Sequence, residues 1–489
     1  MNSRKTCLFL AVATTLLATA ASARHKTDAI VRVRVTGQDF SFFRPWEKKA
    51  PVSREGLGVV LEGNRVLVTG RLAMNATFAE LEKIDTGEKM PAYVTHVDYA
   101  VNLALLEPAL PSFLSDMRPW RLRTTSSIGD KPQAIQFEDN GLSIVTDGEI
   151  KRIELATYPL DVLTLLSYRM EISIARNVSS YTLPVAYRNR LIGLVMSYSS
   201  EDREAVLVPA PVIKHFLDDY DDGHYDGFPR AGFGFASLQD PQLRRYLGVP
   251  AQGDGVFIST IMPGSGADQA GVQEGDVLLA INEFTIDKFG EYTDPDFGHQ
   301  SIAHLTTTRS HVGDSAMLHI VREGEHQYLL VKLESVPLAH YPIVPYILDK
   351  PAEFIIVGGL VIEELSGQYL NEWGSNWATK APRRLVHYDQ HQWDLFEPGE
   401  RVVILSQVLS SAANIGFSSL NFLRIDSING MEIRQLPDVA EALKTPIDGF
   451  HKISFDEFPS YIVLKADALE AENAQIQARY HLPMLQHIE

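Results

Sequence analysis

The run Asp218-Asp219-Tyr220-Asp221-Asp222-Gly223-His224-Tyr225-Asp226-Gly227 packs five carboxylates into ten residues, so calcium is the first chemistry to test. A calcium loop of the helix-loop-helix type needs oxygen ligands at its first, third and fifth positions and a bidentate glutamate at the twelfth. Counted from Asp218, Tyr220 stands third and Pro229 twelfth, so the run reads instead as a solvated linker marking a domain boundary. His387 and His391 have the i, i+4 spacing of two metal ligands on one helical turn. Tyr388, however, stands where a zinc peptidase helix carries its glutamate, and no third ligand is evident, so the pair reads as an exposed polar face. Asn75-Ala76-Thr77 and Asn177-Val178-Ser179 match the glycosylation acceptor pattern, which matters only on a eukaryotic secretory route. No metal and no cofactor is expected.

The elements that must carry any site begin after an export signal. Arg4 and Lys5 precede an apolar stretch from Cys7 to Ala20, and Ala21-Ser22-Ala23 offers the small-x-small pattern of a cleavage site, so residues 1–23 are expected to be a signal peptide and the protein periplasmic or secreted. The stretch is too short to span a bilayer. Cleavage removes Cys7, the single cysteine, so no disulfide framework is available and the fold must rest on ordinary cores. It also removes two cations, taking the formal charge from −18 to about −20, which argues against nucleic acid as a partner. Composition is that of a globular protein without a membrane span, at 45% hydrophobic and 22% charged residues, and the length suggests about three domains.

From Ala29 to Leu217 short β-like runs recur. Ile30 to Val35 alternates apolar and basic residues as a strand with one wet face should, and Val59 to Leu61, Arg65 to Thr69, Ala92 to Val97, Leu103 to Leu106 and Leu191 to Tyr198 follow, broken by turn residues. The pattern favours an antiparallel barrel or sandwich. A helix is expected over Pro209 to Asp219, with Val212, Ile213, Phe216 and Leu217 on one face. Two later segments share a pattern: an apolar strand, a short segment ending in small residues, then a strand closing on Asn282-Glu283 in one and Asn429-Gly430 in the other. The last helical stretch, Ala466 to Tyr480, is expected to dock on the final module.

Pro263-Gly264-Ser265-Gly266-Ala267 through Ala270-Gly271-Val272-Gln273-Glu274-Gly275-Asp276-Val277-Leu278 resembles the centre of a PDZ domain of the HtrA/Deg (protease Do-like) family. Gly56-Leu57-Gly58-Val59-Val60 resembles the opening strand of that family's trypsin-like domain. Phe43-Arg44-Pro45-Trp46 resembles the plant-type branch and its bacterial relatives, and Gly358-Gly359-Leu360-Val361 with Val403 to Gly416 resembles that branch's second PDZ module. The resemblance implies a mainly β protein: a trypsin-like double β-barrel over 24–220, then two PDZ (α+β) modules over 228–336 and 341–489, the second ending in the C-terminal helix.

The sequence departs from the family at the catalytic positions. Where members carry a histidine after the strand ending in Leu-Thr-Asn, the strand Arg65 to Gly70 runs into Arg71; the acid before Leu103-Ala104-Leu105-Leu106 is Asn102; and the nucleophile, placed from Pro184, is Tyr181. Arginine stays protonated and cannot act as a general base. Asparagine cannot stabilise an imidazolium, a change that costs trypsin about 10⁴ in rate. Tyrosine is a poor nucleophile, with a pKa of about 10. Shifting the register to Ser179 or Ser180 breaks the Pro184 anchor, while His96 and Asp98 lie on the segment that delivers the acid. A degenerate, inactive triad is therefore expected, the alternative being an active serine endopeptidase with a displaced site.

Peptide binding is the function left. The resemblance aligns Gly232-Phe233-Gly234-Phe235 with the loop whose amides face a ligand carboxylate, and a helix around Ser301 to Thr308 would set Ile302 and Leu305 in an apolar pocket. Phe235 reads equally as a core filler, whereas Phe233 and Gly234 favour the groove. In the second module Ile355, Ile356 and Val357 read as buried strand. The expected partners are peptides or unfolded proteins with free C-termini, in a chaperone or adaptor role. The resemblance also implies a homo-trimer or a multiple of one, with Phe40, Phe42, Phe43 and Trp46 as available contacts.

Overall fold

The computed structural model describes residues 29–488 apart from 139, 161 and 175–181, so the signal segment, Tyr181 and the Ser179-Ser180 pair lie outside the described residues. Two compact units are present. Unit 1 takes in residues up to 37, then 52–261 and 265–335; unit 2 takes in 38–51, 262–264 and 336–489.

Unit 1 opens with strands β1 (Ile30–Gly37), β2 (Val52–Leu61), β3 (Arg65–Val68), β4 (Ala76–Lys83), β5 (Lys89–Asp98) and β6 (Leu103–Pro108), closed in the order β1-β2-β3-β6-β5-β4. A second closed barrel follows, from β7 (Gln133–Phe137), β8 (Ser143–Thr157), β9 (Thr164–Ile172), β10 (Leu183–Tyr187), β11 (Arg190–Ser199) and β12 (Glu204–Pro209), in the order β10-β11-β12-β9-β8-β7. Closure removes the unpaired edges that an open sheet would expose. Gly58 is required by the packing inside the first barrel, since a Cβ there would lie 2.3 Å from Val66 Cγ1 and 2.8 Å from Val33 Cγ2. The expected wet face of β1 is only half wet. Arg32 is buried under ion pairs to Glu55 (3.3 Å) and Glu82 (3.1 Å), while Arg34, two residues on, stays partly exposed.

A short helix α1 (Gly70–Ala73) follows β3, and α2 (Ala210–Asp221) closes the second barrel with Val212, Ile213 and Phe216 buried, as the spacing predicts. The acidic run after it is solvated in part: Asp218, Asp221, Asp222, Gly223, His224 and Asp226 are exposed, while the Asp219 carboxylate is buried and accepts the Asp226 and Gly227 amides (3.1 and 2.7 Å), Asp221 pairs with Arg65 (2.5 Å), and the Tyr225 hydroxyl donates to Asp98 (2.6 Å). The run lies within unit 1.

The rest of unit 1 is a sheet in the order β13-β14-β15-β19-β20, from β13 (Phe233–Ser237), β14 (Val256–Ile261), β15 (Val277–Ile281), β19 (Ser315–Arg322) and β20 (Glu325–Lys332). The short β16 (Phe284–Thr285) pairs with β15, and a separate hairpin is made of β17 (Glu291–Asp294) and β18 (Gly298–Ser301). In unit 2, β21 (Phe354–Val357), β22 (Leu360–Glu364), β23 (Val403–Val408), β24 (Leu423–Ile428), β25 (Met431–Glu432), β26 (Phe450–Phe455), β27 (Tyr461–Lys465) and β28 (Gln486–His487) form one sheet, ordered β27-β26-β24-β23-β22-β21-β28 with β25 on β24. The C-terminal helix Leu469–Tyr480 docks within this unit through buried Leu469 and Ile476, and Asn473 accepts the Gly358 amide at 2.8 Å.

Phe40, Phe42, Phe43 and Trp46 lie in unit 2, Phe42 fully within an apolar cluster and the other three half-buried.

Candidate functional site

At the degenerate triad, the backbone amide of Arg71 donates to Asn102 Oδ1 at 2.9 Å, so these two positions do meet. Asn102 is buried and sits in the left-handed region (φ 57°), which asparagine tolerates better than most residues. The guanidinium of Arg54 fixes the turn from the other side, donating to the carbonyls of Arg71 (3.1 Å) and Met74. The nucleophile segment arrives through Thr182, next to the expected position 181. Its hydroxyl bonds the Thr69 hydroxyl at 2.7 Å and accepts the Thr69 amide at 2.9 Å, and its carbonyl accepts the Leu57 amide at 3.1 Å.

The side chain facing this junction is Leu72, not Arg71. A Cβ built on Gly56 would lie 3.0 Å from both Leu72 Cδ2 and Thr182 N, and Leu72 is completely buried while Arg71 is exposed. Thr69, Leu72, Asn102 and Thr182 thus converge, and none of the four titrates in the ordinary pH range. The alternative groups are engaged elsewhere. His96 packs among Phe216, Tyr220 and Tyr225, with the Tyr225 ring 4.2 Å away, and burial lowers its pKa. Asp98 accepts the Ala100 amide (2.8 Å), and burial raises its pKa.

The second candidate is the edge of β13. Among the described residues this strand is paired on one side only, by β14, in the register Phe233↔Ile261 through Ser237↔Val256. Gly232 (φ 82°) turns the chain into it, and a Cβ there would fall 2.2 Å from Ser265, whose hydroxyl donates to the Gly232 carbonyl at 3.2 Å. Gly234 lies beside Thr260, 2.4 Å from a would-be Cβ. Phe233 and Phe235 are half-buried and pack against a cluster in which Ile302 and Leu305, expected to line the groove, are themselves buried core residues. The two phenylalanines are neither fully buried nor free.

The flanking helix over Ser301 to Thr308 does not form. Only Ile302–His304 make a 3₁₀ turn, because Thr306 and Thr307 turn their hydroxyls back to the Ala303 carbonyl (3.4 and 2.6 Å) in competition with the helical ladder. The turn is held instead by a buried polar cluster. Asp294 accepts from Tyr292 (2.8 Å) and Arg309 (2.6 Å), Tyr292 meets His304 Nδ1 at 2.7 Å, and burial drives the imidazole pKa down to about 4.

In unit 2 the corresponding strand is β22, entered through Gly358 and Gly359 (φ 55° and 86°). Its outer edge is taken by β21, antiparallel to it, and β21 is capped in turn by β28. Ile355, Ile356 and Val357 are therefore strand, and this edge has no room for an added peptide.

A PDZ domain model matches residues 229–293 and a second PDZ model matches 343–486. Protease Do-like 2, chloroplastic, of Arabidopsis thaliana is 28% identical over 471 residues, covering 93% of this chain and 74% of the relative. The chain is similar to Do-like (HtrA/Deg) proteases along most of its length and contains two PDZ domains. Protease Do-like 4, mitochondrial, from the same plant is 23% identical over 431 residues, covering 87% of this chain and 79% of the relative. The solved HtrA-type protease AlgW with decapeptide is 16% identical, with a TM-score of 0.48, covering 64% of this chain and 96% of that one. The double barrel and both PDZ sheets thus stand on the chain's own strand order, and its catalytic positions on its own residues.

Proposed function

We propose that this HtrA/Deg-like protein is an exported, non-catalytic peptide binder serving protein quality control as a chaperone or adaptor, with the first PDZ domain as its client site. The observation that carries the reading is the junction of Thr69, Leu72, Asn102 and Thr182, where an apolar side chain and an uncharged asparagine stand in place of a base and an acid. Acyl transfer by a hydroxyl needs a group that removes its proton, and none of these does so. What supports peptide binding is the one-sided pairing of β13, with the half-buried Phe233 and Phe235 on it, the arrangement that adds a ligand as a strand. Residues 1–23 direct export, and the chain self-associates into a trimer or a multiple of one.

Two measurements test this. The mature chain is incubated with casein and a fluorophosphonate probe; no labelling and no substrate loss are expected, whereas both together, abolished by replacing Ser179 or Ser180, establish an active peptidase. In the second, Gly234→Glu sets a carboxylate at the β13 edge and weakens binding of free-carboxylate peptides by at least about tenfold, or 1.4 kcal/mol. Unchanged affinity removes the first domain's groove from the account.

A further inference from the structure

Residues 38–51 join β1 to β2, whose last pair is Gly37↔Val52, and they fold as a hairpin of their own. Ser41 N donates to Glu47 O (3.1 Å), Glu47 N to Arg44 O (2.8 Å) and Lys49 N to Asp39 O (2.8 Å), while Phe40 bridges to Lys48. This closed tip lies in unit 2, and side chains of that unit read its main chain. Phe42 N donates to Glu372 Oε1 at 2.9 Å, and Gln407 Nε2 donates to the carbonyl of the next residue, Phe43. Glu372 also pairs with Lys49 Nζ at 2.8 Å.

The rings are received in the same way. Phe43 presents its ring edge-on to Tyr369 and Trp373 at 5.4 and 4.6 Å, Phe422 backs Trp373 at 5.5 Å, and Phe42 is sunk in the cluster behind them. In an ordinary core, backbone groups are satisfied mainly by backbone. Here a donor and an acceptor on successive residues are satisfied by side chains more than 300 positions away, and the hairpin's own bonds let it leave without unravelling.

We propose that Tyr369, Glu372, Trp373, Gln407 and Phe422 form a second peptide-binding site, separate from both strand-addition edges and occupied by the chain's own hairpin tip. Its ligand class is a turn-forming segment with two adjacent aromatic residues and a nearby cation. Main-chain reading by Glu372 and Gln407 is indifferent to sequence, the aromatic socket selects Phe43-like rings, and the Glu372 carboxylate selects the cation. The second PDZ domain, whose own edge is closed by β21, thus recognises peptide on another face.

The test uses the full mature chain and a fluorescein-labelled synthetic peptide spanning residues 38–51, read by fluorescence anisotropy. In the wild type the covalently attached copy, present at an effective concentration of about millimolar or more, keeps the labelled peptide out. Phe43→Ala empties the socket and raises affinity for the peptide at least tenfold; adding Trp373→Ala returns it to the wild-type level. Phe43→Leu, which preserves bulk without ring edges, replaces the alanine variant if that one is poorly folded. Equal affinity of the wild type and both Phe43 variants, or tight binding that survives Trp373→Ala, overturns the proposal. Gly234→Glu leaves this binding unchanged, so failure here and failure of the first domain's groove are separate results.

Discussion

Glu363 offers a sharp test of the packing in unit 2. It lies on β22 between β21 and β23, opposite Phe354 and Ile404, with 1% of its surface exposed and neither carboxyl oxygen within hydrogen-bonding distance of a partner. Burial pushes its pKa up to about 8; Ser406 relieves this only weakly, since its hydroxyl donates to the Val361 carbonyl, and the Glu372 charge adds to the rise. The sign follows from proton binding. The folded chain holds the proton up to about pH 8, whereas the unfolded chain releases it near the ordinary value of 4.5. Stability is therefore full below about pH 4.5 and falls as pH rises towards 8. At 1.36 kcal/mol per unit, this group alone costs unit 2 about 3 kcal/mol between pH 4.5 and 7. Glu363→Gln keeps the volume and removes the titration. Guanidinium unfolding from pH 5 to 8.5, followed by tryptophan fluorescence, reports on unit 2, because Trp46, Trp373, Trp377 and Trp393, four of the five tryptophans, lie in it. Asp389 and Glu364 also titrate upward through burial, but equally in both proteins, so the difference between the two curves isolates Glu363. A difference constant to within about 1 kcal/mol over that range refutes the burial argument.

Two further predictions concern unit 1. Asp276, 1% exposed, pairs with Arg322 through two contacts of 2.7 Å and accepts the Gln273 amide at 2.8 Å; Asp276→Ala strands the guanidinium and costs about 3 kcal/mol, measured by urea unfolding. Placing an imidazole at either candidate base position decides between them: Arg71→His titrates near 6.5 in proton NMR, as an exposed histidine does, whereas Leu72→His titrates below it because burial disfavours the cation. The reverse order returns the base position to Arg71.

Much of the fold was legible because glycines and apolar spacing act locally. The helix after Pro209, the turn at Gly232 and the buried strand before Gly358 each follow from residues within a few positions. The misreadings came from distant partners. Nothing near Phe42 indicates that Glu372 will accept its amide. Arg32 reads as wet because Glu82, fifty residues on, is what covers it. At the degenerate site the residue types excluded a histidine, but which side chain would face Thr182 depended on α1, a single turn whose phase spacing alone does not set.

That site also separates two duties an acid has in a working triad. An aspartate there would restrain the backbone as an acceptor and would hold and charge-balance an imidazole. Asn102 retains the first duty, accepting the Arg71 amide at 2.9 Å from a buried left-handed position, and lacks the second. Arg54 likewise spends its guanidinium on the carbonyls of Arg71 and Met74. Loss of the acceptor would leave a buried amide unsatisfied at a cost of about 1–3 kcal/mol, whereas loss of the charge costs the fold nothing of the kind. The fold of this turn therefore needs an acceptor at position 102 whether or not the site is catalytic, so the acceptor alone is no evidence of a peptidase.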